Sequence, residues 1–146
     1  MKNVLFVCTG NTCRSPMAEF ILKDILQKRQ IFDIAVSSAG ISVNDNSTIN
    51  PLSKAVLERN GIVAEGFVSR EITDEIIEES DVILCMTENH KNALPTMKKV
   101  KTLGEVVDMP DVSDPYGGND AIYTLCYQQI KGEIEKLIDI LLDDGF

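Results

Sequence analysis

Cys8 and Arg14 bracket a five-residue loop, Thr9-Gly10-Asn11-Thr12-Cys13, and Ser15 follows directly. A thiol and a guanidinium held this close suit attack on a tetrahedral oxyanion. The sulfur supplies the nucleophile, and the planar guanidinium fork can hold two phosphate oxygens while stabilising charge on a transferring phosphoryl group. Lysine lacks that geometry. Ser15 can donate a hydroxyl hydrogen bond to the Cys8 sulfur, which stabilises the thiolate and later eases its departure from a phosphocysteine. The spacing of Cys8 and Arg14 is weak by itself, since a chain with four cysteines and four arginines meets it by chance often enough. Its surroundings add the weight.

A displaced leaving group needs a proton, and the group that gives it can then activate water to hydrolyse the thiophosphate. Asp108, Asp111 and Asp114 share one loop-like segment, and only Asp114 is followed by a proline, Pro115, which restrains the backbone beside it. Asp114 is therefore the expected acid. Asp108 and Asp111 read as solvated, turn-favouring aspartates. His90, the single histidine, reads as an exposed helix residue.

These groups need elements to position them. Residues 3–8 are apolar and β-branched without alternation, as in a strand covered on both faces. Pro16 suits a first helical position, and Met17, Phe20, Ile21 and Ile25 continue at helical spacing. The loop 9–15 thus joins a strand to a helix, where open α/β sheets place their ligands. A loop of this kind aims unpaired backbone N–H groups at one point under the positive end of the helix dipole. Gly10 and Asn11 are residue types that permit the tight turn. Cys8 then lies at the base of the cup, where amides and Arg14 favour its thiolate without help from a histidine.

Further along, a strand at Ile34–Ser38 ends at Ala39-Gly40, and a helix from Pro51 to about Arg59 stops at Gly61. A helix opens at Thr73 with Ile76 and Ile77, then come a strand, Val82–Met86, and a short helix, Glu88–Leu94. Val106–Gly118, with two prolines and paired glycines, reads as an exposed loop. Tyr123, Tyr127, Ile130, Ile134, Leu137 and Leu141 mark an amphipathic C-terminal helix. The alternation of strand and helix predicts a doubly wound α/β sheet.

At 146 residues and 44% hydrophobic content the chain suits one domain with its own core. With 23 acidic against 14 basic residues, its charge of −9 repels a nucleic-acid backbone. The apolar start ends at Gly10, well short of a membrane span or signal core. Cys8, Cys13, Cys85 and Cys126 are too few for a disulfide scaffold, which fits a reducing cytoplasm. One histidine and no tight ligand group beyond Cys8 and Cys13 give no metal site, and no cofactor is expected. No membrane partner and a monomer are the expected state.

CTGNTCRSPMAE, residues 8–19, resembles the active-site signature of the low-molecular-weight protein-tyrosine phosphatase family, and DPYGG, residues 114–118, resembles its general-acid loop. The resemblance covers nearly the whole chain. It implies one three-layer doubly wound domain over residues 1–146, with a central, mostly parallel four-stranded sheet and helices on both faces. It implies that Cys8 attacks phosphorus, that Thr9, Gly10, Asn11, Thr12, Cys13 and Ser15 bind phosphate, that Arg14 clamps it and that Asp114 is the acid. Asn11 and Ser38 form a supporting pair on this reading, Tyr116 walls the cleft, and Cys13 can form a protective disulfide with Cys8. The polar stretch Asn44–Asn50 reads as another edge of the cleft.

Thr12 departs from the bulky aliphatic residue common in tyrosine-directed members. It is similar instead to the bacterial protein-arginine phosphatases, whose threonine favours a phosphoguanidinium. The expected substrates are phosphorylated proteins, phosphoarginine ahead of phosphotyrosine, with a phosphotyrosine phosphatase proper as the alternative. A thioredoxin-linked arsenate reductase needs two further cysteines close in sequence, whereas Cys85 and Cys126 are far apart. A phosphoprotein-binding module without catalysis gives no reason to keep Cys8, Arg14 and Asp114 together.

Overall fold

The computed structural model describes residues 1–143. Its first unit is a strand, β1 (Lys2–Cys8), the loop, and a helix, α1 (Arg14–Lys28). There follow β2 (Ile34–Gly40), α2 (Pro51–Arg59), α3 (Asp74–Glu79), β3 (Val82–Cys85), α4 (Glu88–Asn92), β4 (Val100–Thr102), α5 (Leu103–Val107) and α6 (Asp120–Leu142). The four strands run in the order β2-β1-β3-β4, and every pairing is parallel, so the sheet is wholly rather than mostly parallel.

Strand β1 is central and its alternate side chains feed two cores. Val4, Phe6 and Cys8 join a large cluster with Met17, Leu57, Leu103, Ile130 and Leu137, which places α1, α2, α5 and α6 on that face. Leu5 and Val7 join Ile77, Ile83, Cys85, Leu94 and Val100 on the other, under α3 and α4. Burial on both faces is why residues 3–8 carry no polar alternation. Each fully buried Leu, Phe or Val here contributes about 1.5–3 kcal/mol relative to exposure. The chain leaves β1 toward β2 on one side and returns to β3 on the other. The carboxyl end of β1 is therefore the switch point of the sheet, where a crevice opens.

Several expected boundaries shift. Helix α1 begins at Arg14, so Pro16 is its third residue; first-turn N–H groups have no helical acceptor, which is why proline is tolerated there. Strand β2 extends to Gly40 because it pairs with β1 to the end, Cys8 opposite Gly40. Strand β4 is only three residues long and follows two lysines, too short to show a period. Val106–Gly118 is not uniformly exposed: Val107 closes α5, and Val107, Val112 and Pro115 are buried. The six apolar positions expected of the C-terminal helix all lie on the buried face of α6. No described helix is long and apolar enough to cross a membrane.

Candidate active site

The loop after β1 is shaped by what its carbonyls do. The carbonyl of Cys8 accepts from Ile41 N (3.0 Å), Thr9 from Ser42 N (2.9 Å) and Thr12 from Asn50 N (2.8 Å). The carbonyl of Asn11 accepts from Ser69 Oγ at 2.7 Å. Among the described residues, no backbone N–H from Gly10 to Cys13 donates to a partner. Carbonyls drawn outward and amides left over make a cup of donors at the start of α1, the geometry that receives an oxyanion.

Asn11 sits at the turn with φ 54°, the left-handed region that asparagine tolerates better than most side-chain-bearing residues. Its fully buried side chain ties three segments together. Nδ2 donates to Ser15 Oγ at 2.8 Å and to Ser38 Oγ at 2.9 Å, while Oδ1 accepts from Arg70 N at 3.0 Å. The strand register puts Ser38 opposite Phe6 and Gly40 opposite Cys8, which delivers both to the cup. A Cβ on Gly40 would stand 2.5 Å from the Thr9 carbonyl oxygen and 2.9 Å from Asn11 N. Only glycine lets the end of β2 press so close.

The hydrogen bonds leading to the sulfur have one consistent direction. Ser38 donates to Glu19 Oε1 at 2.6 Å, and Lys23 Nζ meets the other carboxylate oxygen at 2.6 Å. Ser38 Oγ therefore accepts from Asn11, and so does Ser15 Oγ. The hydroxyl hydrogen of Ser15 is left to point at Cys8 Sγ, 2.9 Å away. Glu19 is a residue that sequence reasoning passed over. Its signal was its place one helical turn beyond Ser15, on the same face of α1.

Arg14 is 4% exposed. Its Nη1 donates to the Val112 carbonyl at 3.0 Å, and Nη2 to Thr9 Oγ1 at 3.4 Å; Asp114 Oδ2 lies 3.7 Å from Nη2. Val112 N in turn donates to the Met86 carbonyl at 2.9 Å, so this buried valine pins the segment that carries Asp114 to the end of β3. Asp114 itself faces solvent, with Oδ1 accepting from Tyr116 N at 3.1 Å. Cys8, Thr12, Arg14, Asp114 and Tyr116 line one cleft of about 300 Å³, whose other edge includes Ser42, Asn44 and Ser47. Tyr116 is 75% exposed on its rim.

His90 corrects the reading of an exposed helix residue: it is buried, with Nε2 2.8 Å from Thr9 Oγ1 and Nδ1 3.0 Å from Thr87 Oγ1. The short helix α4 carries it beneath the cup, an approach that only the sheet order creates. Burial, reinforced by the Arg14 charge, lowers its pKa to about 4. Of the other aspartates, Asp111 caps Glu88 N at 3.0 Å, and Asp108 closes α5 in a left-handed turn, φ 59°. All four cysteines are free and buried, and the Cys13 sulfur is 3.4 Å from Tyr123 OH. Burial pushes Cys85 and Cys126 up to about 12, poor values for a disulfide relay. Among the described residues no three metal-ligating side chains converge.

An open parallel sheet with a donor cup, a cysteine sulfur and a guanidinium at its switch point has the layout of a cysteine phosphatase. The pattern of the low molecular weight phosphotyrosine protein phosphatase family matches residues 3–144. The chain is 38% identical to a protein-arginine-phosphatase of Bacillus subtilis over 93% of its own length and 91% of the relative's. It is 37% identical to the low molecular weight protein-tyrosine-phosphatase PtpB of Staphylococcus aureus, covering 94% and 98%. A solved structure of the YwlE arginine phosphatase, a cysteine-to-serine mutant with a phosphorylated active-site serine, superposes with a TM-score of 0.91 at 34% identity, covering 97% of each chain. The chain belongs to the low molecular weight phosphotyrosine protein phosphatase family and is a phosphatase.

Proposed function

We propose that this phosphatase works through a phosphocysteine on Cys8 and acts on phosphorylated proteins, phosphoarginine ahead of phosphotyrosine. The observation that carries the mechanism is the single cleft in which Cys8 Sγ, 2.9 Å from Ser15 Oγ, faces the same space as Arg14 and Asp114. The Cys8 sulfur attacks phosphorus, the P–N bond of phosphoarginine or the P–O bond of phosphotyrosine breaks, and Asp114 gives its proton to the departing nitrogen or oxygen. Water then attacks phosphorus, the Asp114 carboxylate takes a proton from it, the S–P bond breaks, and inorganic phosphate leaves. The phosphate oxygens sit among the loop amides and Arg14 throughout. Neither step needs a metal or a cofactor.

The substrate order rests on Thr12 and Tyr116. Thr12 places a hydroxyl on the cleft wall, 3.6 Å from the Cys13 sulfur, where an aliphatic side chain would contact a phenyl ring. A polar wall suits a guanidinium leaving group and gives an aromatic one less apolar contact. The phosphatase relatives, one named for arginine and one for tyrosine, are nearly equally similar, so the side chains of this cleft decide the order. We read residues 1–146 as one domain, monomeric, in a reducing cytoplasm that keeps its four thiols free. A surface of charge −9 leaves nucleic acid out of its partners.

The test is phosphate release from matched phosphoarginine, phosphotyrosine and phosphoserine peptides, by wild type and Cys8→Ser. Wild type is expected to prefer phosphoarginine, to turn over phosphotyrosine more slowly and to leave phosphoserine intact, and Cys8→Ser to release nothing. A higher kcat/KM on phosphotyrosine reverses the substrate order. Wild-type turnover by Cys8→Ser overturns the mechanism.

A further inference from the structure

The single histidine has no place in the reaction just written, yet it is one of few buried polar residues and touches the loop. Counting protons reduces its hydrogen bonds to two arrangements, one for each tautomer of the neutral ring. Arg14 is a donor only, so at 3.4 Å it gives a hydrogen to Thr9 Oγ1, which accepts. The single hydrogen of the Thr9 hydroxyl is then free to point at His90 Nε2, 2.8 Å away, when that nitrogen carries no proton; with Nε2 protonated, Thr9 Oγ1 accepts twice and its hydrogen points elsewhere. In the first arrangement the proton of the neutral ring sits on Nδ1 and faces Thr87 Oγ1 at 3.0 Å. Thr87 Oγ1 also accepts from His90 N at 3.3 Å, the cap that fixes the start of α4. With the proton on Nδ1 the chain runs one way, from Arg14 through Thr9 and His90 to Thr87. The lowered pKa of His90, from burial and from Arg14, agrees with a neutral ring; the Asp114 and Asp111 charges oppose the shift without reversing it.

We infer that His90 is a positioning residue for phosphoryl transfer: as the Nδ1–H tautomer it holds the Thr9 hydroxyl so that an oxygen lone pair, not a hydrogen, faces the Arg14 guanidinium. This rests on the phosphatase reading above. Arg14 is anchored on its outer side at two points, Thr9 Oγ1 and the Val112 carbonyl, and these set the plane of the fork over the cup. The Val112 carbonyl belongs to the backbone and has a fixed direction. The Thr9 hydroxyl can rotate, and an acceptor behind it gives its hydrogen a fixed place on the side away from the cation. Without the imidazole, the Thr9 hydroxyl has no fixed rotamer, and one of the two hydrogen bonds that hold the guanidinium loosens. Misplacement on the scale of an ångström is enough to slow a positioned reaction.

The test combines kinetics with nitrogen spectroscopy. His90→Phe keeps the ring volume without an acceptor, His90→Gln restores an acceptor, and Thr9→Val removes the hydroxyl. His90→Phe is expected to lower kcat/KM about tenfold, mainly through kcat, as a guanidinium out of plane stabilises the transition state less than the ground state. His90→Gln is expected to recover most of that loss. Thr9→Val should cost a similar factor, and the double variant Thr9→Val with His90→Phe no more than either alone, since both break one chain. Losses that multiply in the double variant, or a His90→Phe enzyme that melts earlier but keeps the wild-type kcat, would overturn the inference. Nitrogen-15 NMR of the wild type decides the direction independently of any variant's folding. A neutral ring protonated at Nδ1 is expected, and a ring protonated at Nε2 contradicts the chain. Wild type as inactive as Cys8→Ser would sink the phosphatase reading itself, an outcome distinct from active wild type with unaffected His90 variants.

Discussion

Every polar atom of the Asn11 side chain is in use, and the consequence reaches Cys8 through Ser15. The proposed nucleophile Cys8, clamp Arg14 and acid Asp114 stood out in the sequence because their spacing and neighbours suggest their chemistry directly, and the structure brings them to one cleft. Glu19 and His90 were not, because each acts through one intermediate hydroxyl that only folding supplies, Ser38 for the first and Thr9 for the second. Thr12 was legible as a departure from a pattern, and the structure puts it on the cleft wall. Replacing Thr12 by isoleucine adds apolar surface where the leaving group lies. The phosphotyrosine to phosphoarginine ratio of kcat/KM should rise by about tenfold, the worth of roughly one to two methylenes in a hydrophobic pocket. An unchanged ratio in a side-by-side peptide assay would remove Thr12 from substrate choice.

Among the elements, the sharpest constraint is where β2 ends. Ladder pairing carries it to Gly40, and there the strand backbone meets the loop backbone with no room for a methyl group. Gly40→Ala should destabilise the protein by about 1–3 kcal/mol, the usual range for overpacking, and lower activity further than the stability loss explains, since Thr9 and Asn11 must move. Urea unfolding and kcat on the same preparation separate the two effects; loss of stability with full activity would show that the loop absorbs the methyl harmlessly. The sequence showed β1 as an unbroken apolar run, and α1 and α6 because their apolar periods extend over enough residues to be distinctive. It hid β4, whose three residues carry no period, and it disguised Val112 within a run of turn-forming residues. A valine anchoring an otherwise exposed segment is a tertiary fact, set by the gap between Met86 and Arg14.

For the molecule as a whole, stability should depend on pH through two groups that never meet the substrate. Glu133 on α6 is fully buried, neither carboxyl oxygen has a well-formed hydrogen bond, and burial raises its pKa against the opposing pull of the nearby Gln129 amide and Lys136 charge. The folded state then holds a proton that the unfolded chain releases, so stability falls as pH rises above the ordinary glutamate range. His90, with its pKa lowered, acts at the other end: the unfolded chain binds the proton first, and stability falls as pH drops below 6.5 toward about 4. Glu133→Gln keeps the shape of the neutral acid without its charge. It should melt about 2–4 °C above wild type at neutral pH and match it near pH 4, a gap that corresponds to about 1 kcal/mol in a chain of this size. Equal melting temperatures across that range would mean Glu133 is ionised without penalty in the fold. The strand order has a further outcome for the newly made chain. Cys8 is translated roughly a hundred residues before Val112, which anchors Arg14, and before the proposed acid Asp114. At roughly 5–20 residues per second, on the order of ten seconds pass on the ribosome before the parts can meet. On the proposed mechanism the sulfur is thus made before its partners, and hydrolysis awaits the docking of residues 112–114.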